Sequence, residues 1–184
     1  MKNNNKKIKV ILGVTGSVAA IKTVELYTLL ASWAEVKVIA TPSASHFLNT
    51  IPNFNLPLIN DQQEWQQWQK IGDPVLHIEL KKWADILVIA PLSANTLSKL
   101  SFGECDNLLT SVCRAWSFDK PICIAPAMNT MMWEHPVTAE SLTRLTKWGY
   151  QIIEPISKTL ACGDEGIGAM AEPSSINLAL KKLI

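Results

Sequence analysis

Short apolar runs alternate along the chain with longer segments in which apolar residues recur at helical spacing. Buried strands are predicted at residues 8–14, 36–40, 86–90, 122–125 and 150–153. Helices are predicted at residues 17–33, 93–100, 107–115, 138–148 and 174–183. Strands and helices that alternate in this way are typical of a parallel sheet with helices on both faces. The pattern therefore predicts an α/β fold.

Two stretches interrupt this alternation. Residues 49–70 combine prolines and asparagines with Trp65 and Trp68 among glutamines, which predicts a long excursion from the core with one short helix and no assignable function. Residues 155–173 contain three glycines and little periodicity, which predicts a long loop. Loops of this length in a compact domain are usually functional or disordered. Since no internal repeat or low-complexity linker divides the chain, residues 1–184 are predicted to form one domain.

Composition narrows the class of protein. The 184 residues are 48% hydrophobic and 18% charged, which is typical of a compact globular chain. The net charge of +1 predicts no strong attraction to nucleic acid or to an anionic membrane. No apolar run approaches the roughly 20 residues of a membrane span, and no signal-peptide core is present, so a cytoplasmic location is expected. Lysines and asparagines predict a solvated tail at residues 1–7.

The four cysteines have neither the spacing of a zinc site nor the cadence of a disulfide framework, and no metal is expected. Cys105, Cys113 and Cys123 lie in apolar or helical patterns, which predicts small buried side chains. Cys162 differs because it lies in a polar, glycine-rich segment.

Polar and glycine-rich motifs follow three of the predicted strands. Residues 13–20 read Gly-Val-Thr-Gly-Ser-Val-Ala-Ala, a strand-to-helix turn that allows a phosphate to approach the backbone but lacks the third glycine of a dinucleotide fingerprint. Thr41 and Ser43 add hydroxyls after the second strand. A plain tight turn remains an alternative for the first motif. The carboxyl edge of the sheet is nevertheless where α/β folds bind ligands.

The other two motifs are richer in polar side chains. Residues 90–96 place Ser93, Asn95 and Thr96 after a central strand, and helix capping by Ser93 accounts for only one of them. Residues 125–133 place Asn129 after the next strand among methionines and a tryptophan that would pack in any fold. The Asn129 amide could hold a carboxylate or an amide through directed hydrogen bonds.

Four segments, GVTGSVAA, PLSANT, PAMNTMMW and ACGDEG, resemble in order and spacing the homo-oligomeric flavin-containing cysteine decarboxylases. The resemblance runs from about residue 8 to the end of the chain and includes DPVLHIEL at 73–80 and CDNLLT at 105–110. It implies a single-domain Rossmann-like (flavodoxin-like) three-layer sandwich. It also implies a homotrimer whose active sites lie at subunit interfaces.

The same resemblance implies FMN as cofactor and assigns roles to individual residues. His77 matches the catalytic histidine, Asn129 the residue that grips the substrate carboxylate, and Cys162 the cysteine of a substrate clamp within residues 155–173. Thr159 and Ala161 would flank the substrate. The residues that match the FMN site are Gly16, Ser17, Val18, Thr41, Ser43, Ser93, Ala94, Asn95, Thr96 and Ala127.

The implied reaction is the decarboxylation of phosphopantothenoylcysteine to phosphopantetheine in coenzyme A biosynthesis. Oxidation of the carbon that bears sulfur gives a thioaldehyde, which accepts the electrons released as CO2 leaves. The resulting ene-thiolate is reduced while Cys162 supplies a proton, and His77 acts as a base or proton-transfer group. Lys81 and Lys82 stand where relatives often carry arginine, which predicts looser contacts to the substrate anion.

Three alternatives stay open at this level. A flavin decarboxylase that acts on the C-terminal cysteine of a peptide would share the second and third motifs, although the ACGD segment favours the small phosphorylated substrate. A non-catalytic relative that binds a phosphatase would tend to lose one of the catalytic residues. A flavin prenyltransferase would share the flavin loops but not the His77 and ACGD features.

Overall fold

The computed structural model describes residues 7–159, 163 and 165–184. Six strands form a parallel sheet in the order β3-β2-β1-β4-β5-β6. Their bounds are β1 (Ile8–Val14), β2 (Ala34–Ala40), β3 (Leu58–Ile59), β4 (Ile86–Leu92), β5 (Ile122–Pro126) and β6 (Gln151–Ile152). The predicted α/β fold with a parallel sheet is confirmed. The strand order is that of a Rossmann sheet, whereas flavodoxin-like sheets run 2-1-3-4-5.

Nine helices lie among the described residues. They are α1 (Thr23–Ala31), α2 (Pro42–Leu48), α3 (Asp61–Gln67), α4 (Leu76–Trp83), α5 (Ala94–Phe102), α6 (Leu108–Arg114), α7 (Thr130–Trp133), α8 (Pro136–Lys147) and α9 (Pro173–Lys181). A 3₁₀ segment, Val18–Lys22, precedes α1 where a continuous helix from residue 17 was predicted. None of the described helices is long and apolar enough to cross a membrane.

The core consists of two apolar layers, one on each face of the sheet. Val10 and Leu12 of β1 pack with Leu26, Leu30 and Leu180, which belong to α1 and α9. On the opposite face, the layer is formed by alternate strand residues and by α4, α5, α6 and α8, including Ile11, Leu87, Ile89, Leu97, Leu109 and Leu145. Because β1 and β4 are buried on both faces, their sequences read as continuous apolar runs.

Residues 155–173 are not the simple loop that was predicted. β7 (Ile156–Thr159) and β8 (Glu165–Ala169) pair as an antiparallel ribbon outside the main sheet. Strands of four and five residues are too short to leave a clear periodic signal. The predicted site residues Ala161 and Cys162 lie outside the described residues, as do residues 1–6 of the predicted tail.

Of the three cysteines predicted to be buried, two are buried and one is exposed. Cys113 and Cys123 are buried as expected, and burial raises the pKa of each thiol to about 12, so neither thiol ionises near neutrality. The prediction for Cys105 is wrong because this residue is exposed. Asn107 begins α6 with a capping box in which its side chain and that of Thr110 bond each other's backbone N–H. Cys105 therefore lies in the loop before the helix.

Candidate functional site

The order of the strands reverses between β1 and β4, since β1 connects outward to β2 and β4 connects outward to β5. Ligands of open α/β sheets bind in the crevice that such a switch point leaves at the carboxyl ends of the strands. Thr15, which follows β1 directly, is fully buried there. Its hydroxyl donates to the Pro91 carbonyl oxygen at 2.8 Å and accepts from the Ser93 N–H at 2.7 Å. One side chain thus joins the ends of both strands.

The turn after β1 lies against the start of α2. A Cβ built on Gly16 would be 2.6 Å from the Cβ of Ser43, so only glycine allows this approach. Ser17 caps the 3₁₀ segment, and its Oγ accepts from the Ala19 N–H at 3.4 Å. Thr41 is buried and caps α2 by accepting from the Ala44 N–H at 3.3 Å. The structure therefore brings Gly16 and Ser43 together, while the Thr41 hydroxyl is engaged by its own helix.

In the turn after β4, two polar side chains are hydrogen-bonded to each other and two further residues are accessible to solvent. Ser93 caps α5: its Oγ accepts from the Thr96 N–H at 3.3 Å and donates to the Thr96 hydroxyl at 3.2 Å. Both residues are buried. Ala94 is half-buried and Asn95 is exposed. Of the four predicted contact residues in this turn, Ala94 and Asn95 are the ones that a ligand can reach directly.

The turn after β5 holds Asn129 at the start of α7. Its Oδ1 accepts from the Met131 N–H at 2.8 Å, which fixes the orientation of the amide. Ala127, just before it, donates its N–H to the Leu92 carbonyl at 2.9 Å and so ties this turn to the end of β4. Asn129 is half-buried, as a residue that contacts a ligand from a cleft wall would be.

The ribbon is attached to the same turn. The Met128 N–H donates to the Gly168 carbonyl at 2.9 Å, and the Thr130 hydroxyl donates to the Ile167 carbonyl at 2.8 Å. Gly168 has φ +133°, and a Cβ on it would lie 2.4 Å from the Met128 carbonyl oxygen. The glycine at this position is what lets β8 approach the Asn129 turn so closely.

A cleft of about 410 Å³ opens at the switch point, between the 3₁₀ segment, the Asn129 turn and the ribbon. We refer to it as the switch-point cleft. Five of the residues predicted from the sequence line it, namely Ser17, Val18, Ala127, Asn129 and Thr159. The structure therefore assembles residues that are up to 142 positions apart in the chain into one cavity.

Two lysines that were not predicted also line the switch-point cleft, Lys22 and Lys158. Lys22 donates to Glu172, and Lys158 lies 3.4 Å from the other oxygen of the same carboxylate. The hydrogen bond from Lys22 is the main cause that holds the pKa of Glu172 below its ordinary value. The available sequence signal was the position of Lys22, two residues beyond the phosphate-suited motif at 13–20.

His77 lies in a different cleft. This second cleft, the His77 cleft, has a volume of about 430 Å³ and lies between α3, the start of α4 and the start of α6. The lining residues of the two clefts do not overlap. His77 is partly buried, and its Nδ1 lies 2.5 Å from Oε1 of Glu64 on α3. A single chain therefore does not bring His77 into the cavity that contains Asn129.

Known proteins are similar to this chain over most of its length. The family described as Flavoprotein matches residues 1–184. A phosphopantothenoylcysteine decarboxylase of Arabidopsis thaliana is 55% identical over 173 residues, which cover 93% of this chain and 82% of that protein.

Two solved structures superpose closely. A PPC decarboxylase that carries a cysteine-to-serine mutation and is complexed with pantothenoylaminoethenethiol does so with a TM-score of 0.92 and 52% identity, covering 96% of this chain and 98% of that chain. The FMN binding protein AtHal3 does so with a TM-score of 0.88 and 52% identity, covering 96% of both chains. The similarity thus extends over nearly the whole chain.

Proposed function

Since the chain belongs to the flavoprotein family, we propose that it is an FMN-dependent carboxy-lyase that converts phosphopantothenoylcysteine to phosphopantetheine and CO2 in coenzyme A biosynthesis. The resemblance expected from the sequence motifs is confirmed by relatives that are about half identical over most of the chain. The observation that carries the proposal is the switch-point cleft, in which Ser17 and Val18 of the phosphate-suited turn share one cavity with Asn129.

The residues of the switch-point cleft and of the turns beside it fit FMN. Gly16, Ser17 and Val18, with Ser43 packed against them, form the turn that would hold the phosphate, and the Thr41 hydroxyl maintains the start of α2 beside it. Apolar wall residues such as Ala127 suit a flat aromatic ring system. When bound, FMN supplies the reversible two-electron oxidation of the substrate carbon next to sulfur, which is chemistry that no side chain can provide.

The chain's own residues bind and orient the substrate. Asn129 presents an amide whose N–H groups suit a carboxylate, and the bond from the Met131 N–H to its Oδ1 holds that amide in one orientation. Thr159, on the ribbon, forms part of the opposite wall and would help to exclude water. Cys162 follows Thr159 by three positions in the sequence, and it retains its proposed role as the proton donor of the clamp.

His77 is assigned the proton transfer, and this role requires a second subunit. We therefore include in the proposal a homotrimer in which the His77 cleft of one subunit faces the switch-point cleft of its neighbour. Large aromatic side chains support it, because Trp65 and Trp68, which line the His77 cleft, are 77% and 48% exposed. Exposed aromatic residues of this kind are enriched in interfaces between subunits.

The test of the proposed function uses the purified protein with phosphopantothenoylcysteine and, in parallel, a peptide that ends in cysteine. We expect a yellow protein with an FMN absorbance spectrum that releases CO2 from phosphopantothenoylcysteine but not from the peptide. Release of CO2 from the peptide but not from phosphopantothenoylcysteine would show that the substrate is a peptide that ends in cysteine. A protein that cannot be reconstituted with FMN would refute the proposal.

A further inference from the structure

The segment that interrupts the alternation of strands and helices provides the partner of His77. Glu64 lies on α3, and its Oε1 is 2.5 Å from Nδ1 of His77 at the first turn of α4. The side chains are 15% and 28% exposed, respectively, so solvent competes only weakly for this contact. Because an ionised carboxylate offers only acceptors, the bond requires that Nδ1 carries the proton.

Glu64 is held on an anchored helix. Asn60 and Gln63 form a capping box at the start of α3, with bonds of 3.2 and 2.9 Å between each side chain and the other residue's backbone N–H. The Asp61 carboxylate accepts from the Leu108 N–H at 2.8 Å, which fastens α3 to the start of α6. Glu64, one turn further on, is therefore presented to His77 from a fixed position.

The other carboxylates of the His77 cleft are committed elsewhere. Asp61 bonds the Leu108 N–H, and Asp106 pairs with Lys99 and also accepts from the Asn107 side chain at 2.9 Å. Among the carboxylates that line this cleft, Glu64 is thus the one that bonds the histidine. The charge and the distance both point to a function for a segment that carries no sequence motif.

We propose that Glu64 is a positioning residue for His77, an inference that rests on the proton-transfer role proposed above for that histidine. A neutral imidazole exchanges between two tautomers, and a carboxylate on Nδ1 selects the one that carries its lone pair on Nε2. The same bond fixes the rotation of the ring, so Nε2 becomes the nitrogen that accepts and returns the substrate proton. A carboxylate that orients a catalytic histidine in this way does not itself exchange protons with the substrate.

The direct test is the protonation of the two ring nitrogens of His77, read from ¹⁵N chemical shifts in FMN-loaded, ¹⁵N-histidine-labelled protein and assigned with His77→Asn. We expect wild type to carry the proton on Nδ1. In Glu64→Gln the carboxylate that selects the Nδ1–H tautomer is replaced by an amide that can also donate to Nδ1, so we expect the fraction of the Nε2–H tautomer to rise. The kcat for CO2 release should then fall roughly 10²-fold with KM and FMN content unchanged.

Two further variants make the outcome decisive. Glu64→Asp keeps a carboxylate and should retain the Nδ1–H tautomer and more activity than Glu64→Gln. Glu140→Gln makes the same chemical change on the exposed face of α8 and should behave as wild type. An Nε2–H tautomer in wild type, or an unchanged tautomer and kcat in Glu64→Gln, would overturn the inference. If wild type releases no CO2, the proposed function fails, whereas the tautomer measurement still tests Glu64.

Discussion

The hydroxyl of Thr15 is the smallest feature on which the site depends. It is buried and bonds both the carbonyl of Pro91 and the N–H of Ser93. The end of β4 and the turn that follows it, 76 and 78 residues away in the chain, are thereby held at a fixed separation from the end of β1. Valine has the same shape as threonine but offers neither bond.

Thr15→Val should therefore lower the free energy of unfolding by about 1–3 kcal/mol, because the Ser93 N–H would lose its partner and the Pro91 carbonyl would keep only the longer bond from the Thr15 N–H at 3.3 Å. The measurement is urea unfolding at a fixed FMN concentration. Thr28→Val is the matched control, since the Thr28 hydroxyl bonds the Val24 carbonyl on the exposed side of α1. Equal effects of the two substitutions would contradict the role assigned to Thr15.

At this scale the sequence predicted where polar residues collect but not which of them are accessible. Ser93 and Thr96 were predicted as ligand contacts, yet each bonds the other across the first turn of α5. Capping is decided by backbone geometry at the helix start, which a list of residue types does not contain. The contact between Glu64 and His77 joins two helices across a turn-rich connection, so no periodic pattern could have indicated it.

Among the elements, the antiparallel ribbon of β7 and β8 is attached through a position that only glycine fills easily. Alanine at position 168 would combine a positive φ with a methyl group 2.4 Å from the Met128 carbonyl, so the ribbon would have to move away from the Asn129 turn. Strain of this kind costs about 1–3 kcal/mol.

We expect Gly168→Ala to retain FMN but to lower kcat/KM for phosphopantothenoylcysteine by roughly 10-fold or more, since displacement of about 1 Å can cost a factor of 10². Flavin absorbance and the CO2-release assay measure the two quantities separately. Ser157→Ala on the exposed side of β7 is the control. Loss of flavin and activity in parallel would instead indicate a general loss of structure.

Glu172 links three elements, because it precedes α9 and pairs with Lys22 of the 3₁₀ segment and Lys158 of β7. Its pKa is depressed from 4.5 in the folded protein, mainly by the hydrogen bond from Lys22. A depressed pKa contributes stability above the pKa of the unfolded chain, and that contribution is lost as the pH falls through the folded value.

Glu172→Gln should therefore reduce the free energy of unfolding at neutral pH and have no effect in acid below the folded pKa. The expected difference at neutral pH is only about 0.2–1 kcal/mol, because the carboxylate is 46% exposed and the pair is screened by water. Urea titrations of both proteins across this pH range measure it. A constant difference at all pH values would show that charge is not the cause.

Length explains only part of which elements were predictable, since the two-residue β6 was predicted and the eight-residue α4 was not. The long helices and the strands β1, β2, β4 and β5 follow from periodicity, whereas α7 and the ribbon strands have only four or five residues each and were missed. α2 also escaped prediction, although Thr41 as N-cap and Pro42 at the first helical position are recognisable start signals. Short elements are determined by tertiary contacts, such as the bonds between the ribbon and the Asn129 turn.

For the whole molecule, the separation of His77 and Asn129 into two clefts makes a sharp experiment possible. His77→Asn and Asn129→Ala should each abolish CO2 release when expressed alone. Mixed assemblies should recover about a quarter of the wild-type sites, because in a cyclic ring one interface in four pairs an intact histidine with an intact asparagine. Co-expression followed by the CO2-release assay measures this recovery.

The control for that experiment is the chain that carries both substitutions, which should stay inactive when it is co-expressed with either single variant at any ratio. Recovery is not possible if both residues act within one chain. A mixture as inactive as either parent, with a trimeric mass in solution, would therefore contradict the proposed arrangement of the clefts. The resemblance of the motifs implied active sites at subunit interfaces, but the spacing of the motifs does not indicate which residue lines which cleft, since the motifs of both clefts occur in the same chain.

Two clefts with no shared wall have a consequence for how the enzyme responds to dilution. Chains that separate would keep their folded cores, but no cavity would then contain both the histidine and the asparagine. Specific activity should fall once the protein concentration drops below the dissociation constant of the proposed trimer. A ligand that contacts two subunits stabilises the assembled state by mass action. Saturating substrate should therefore lower the protein concentration at which specific activity begins to fall.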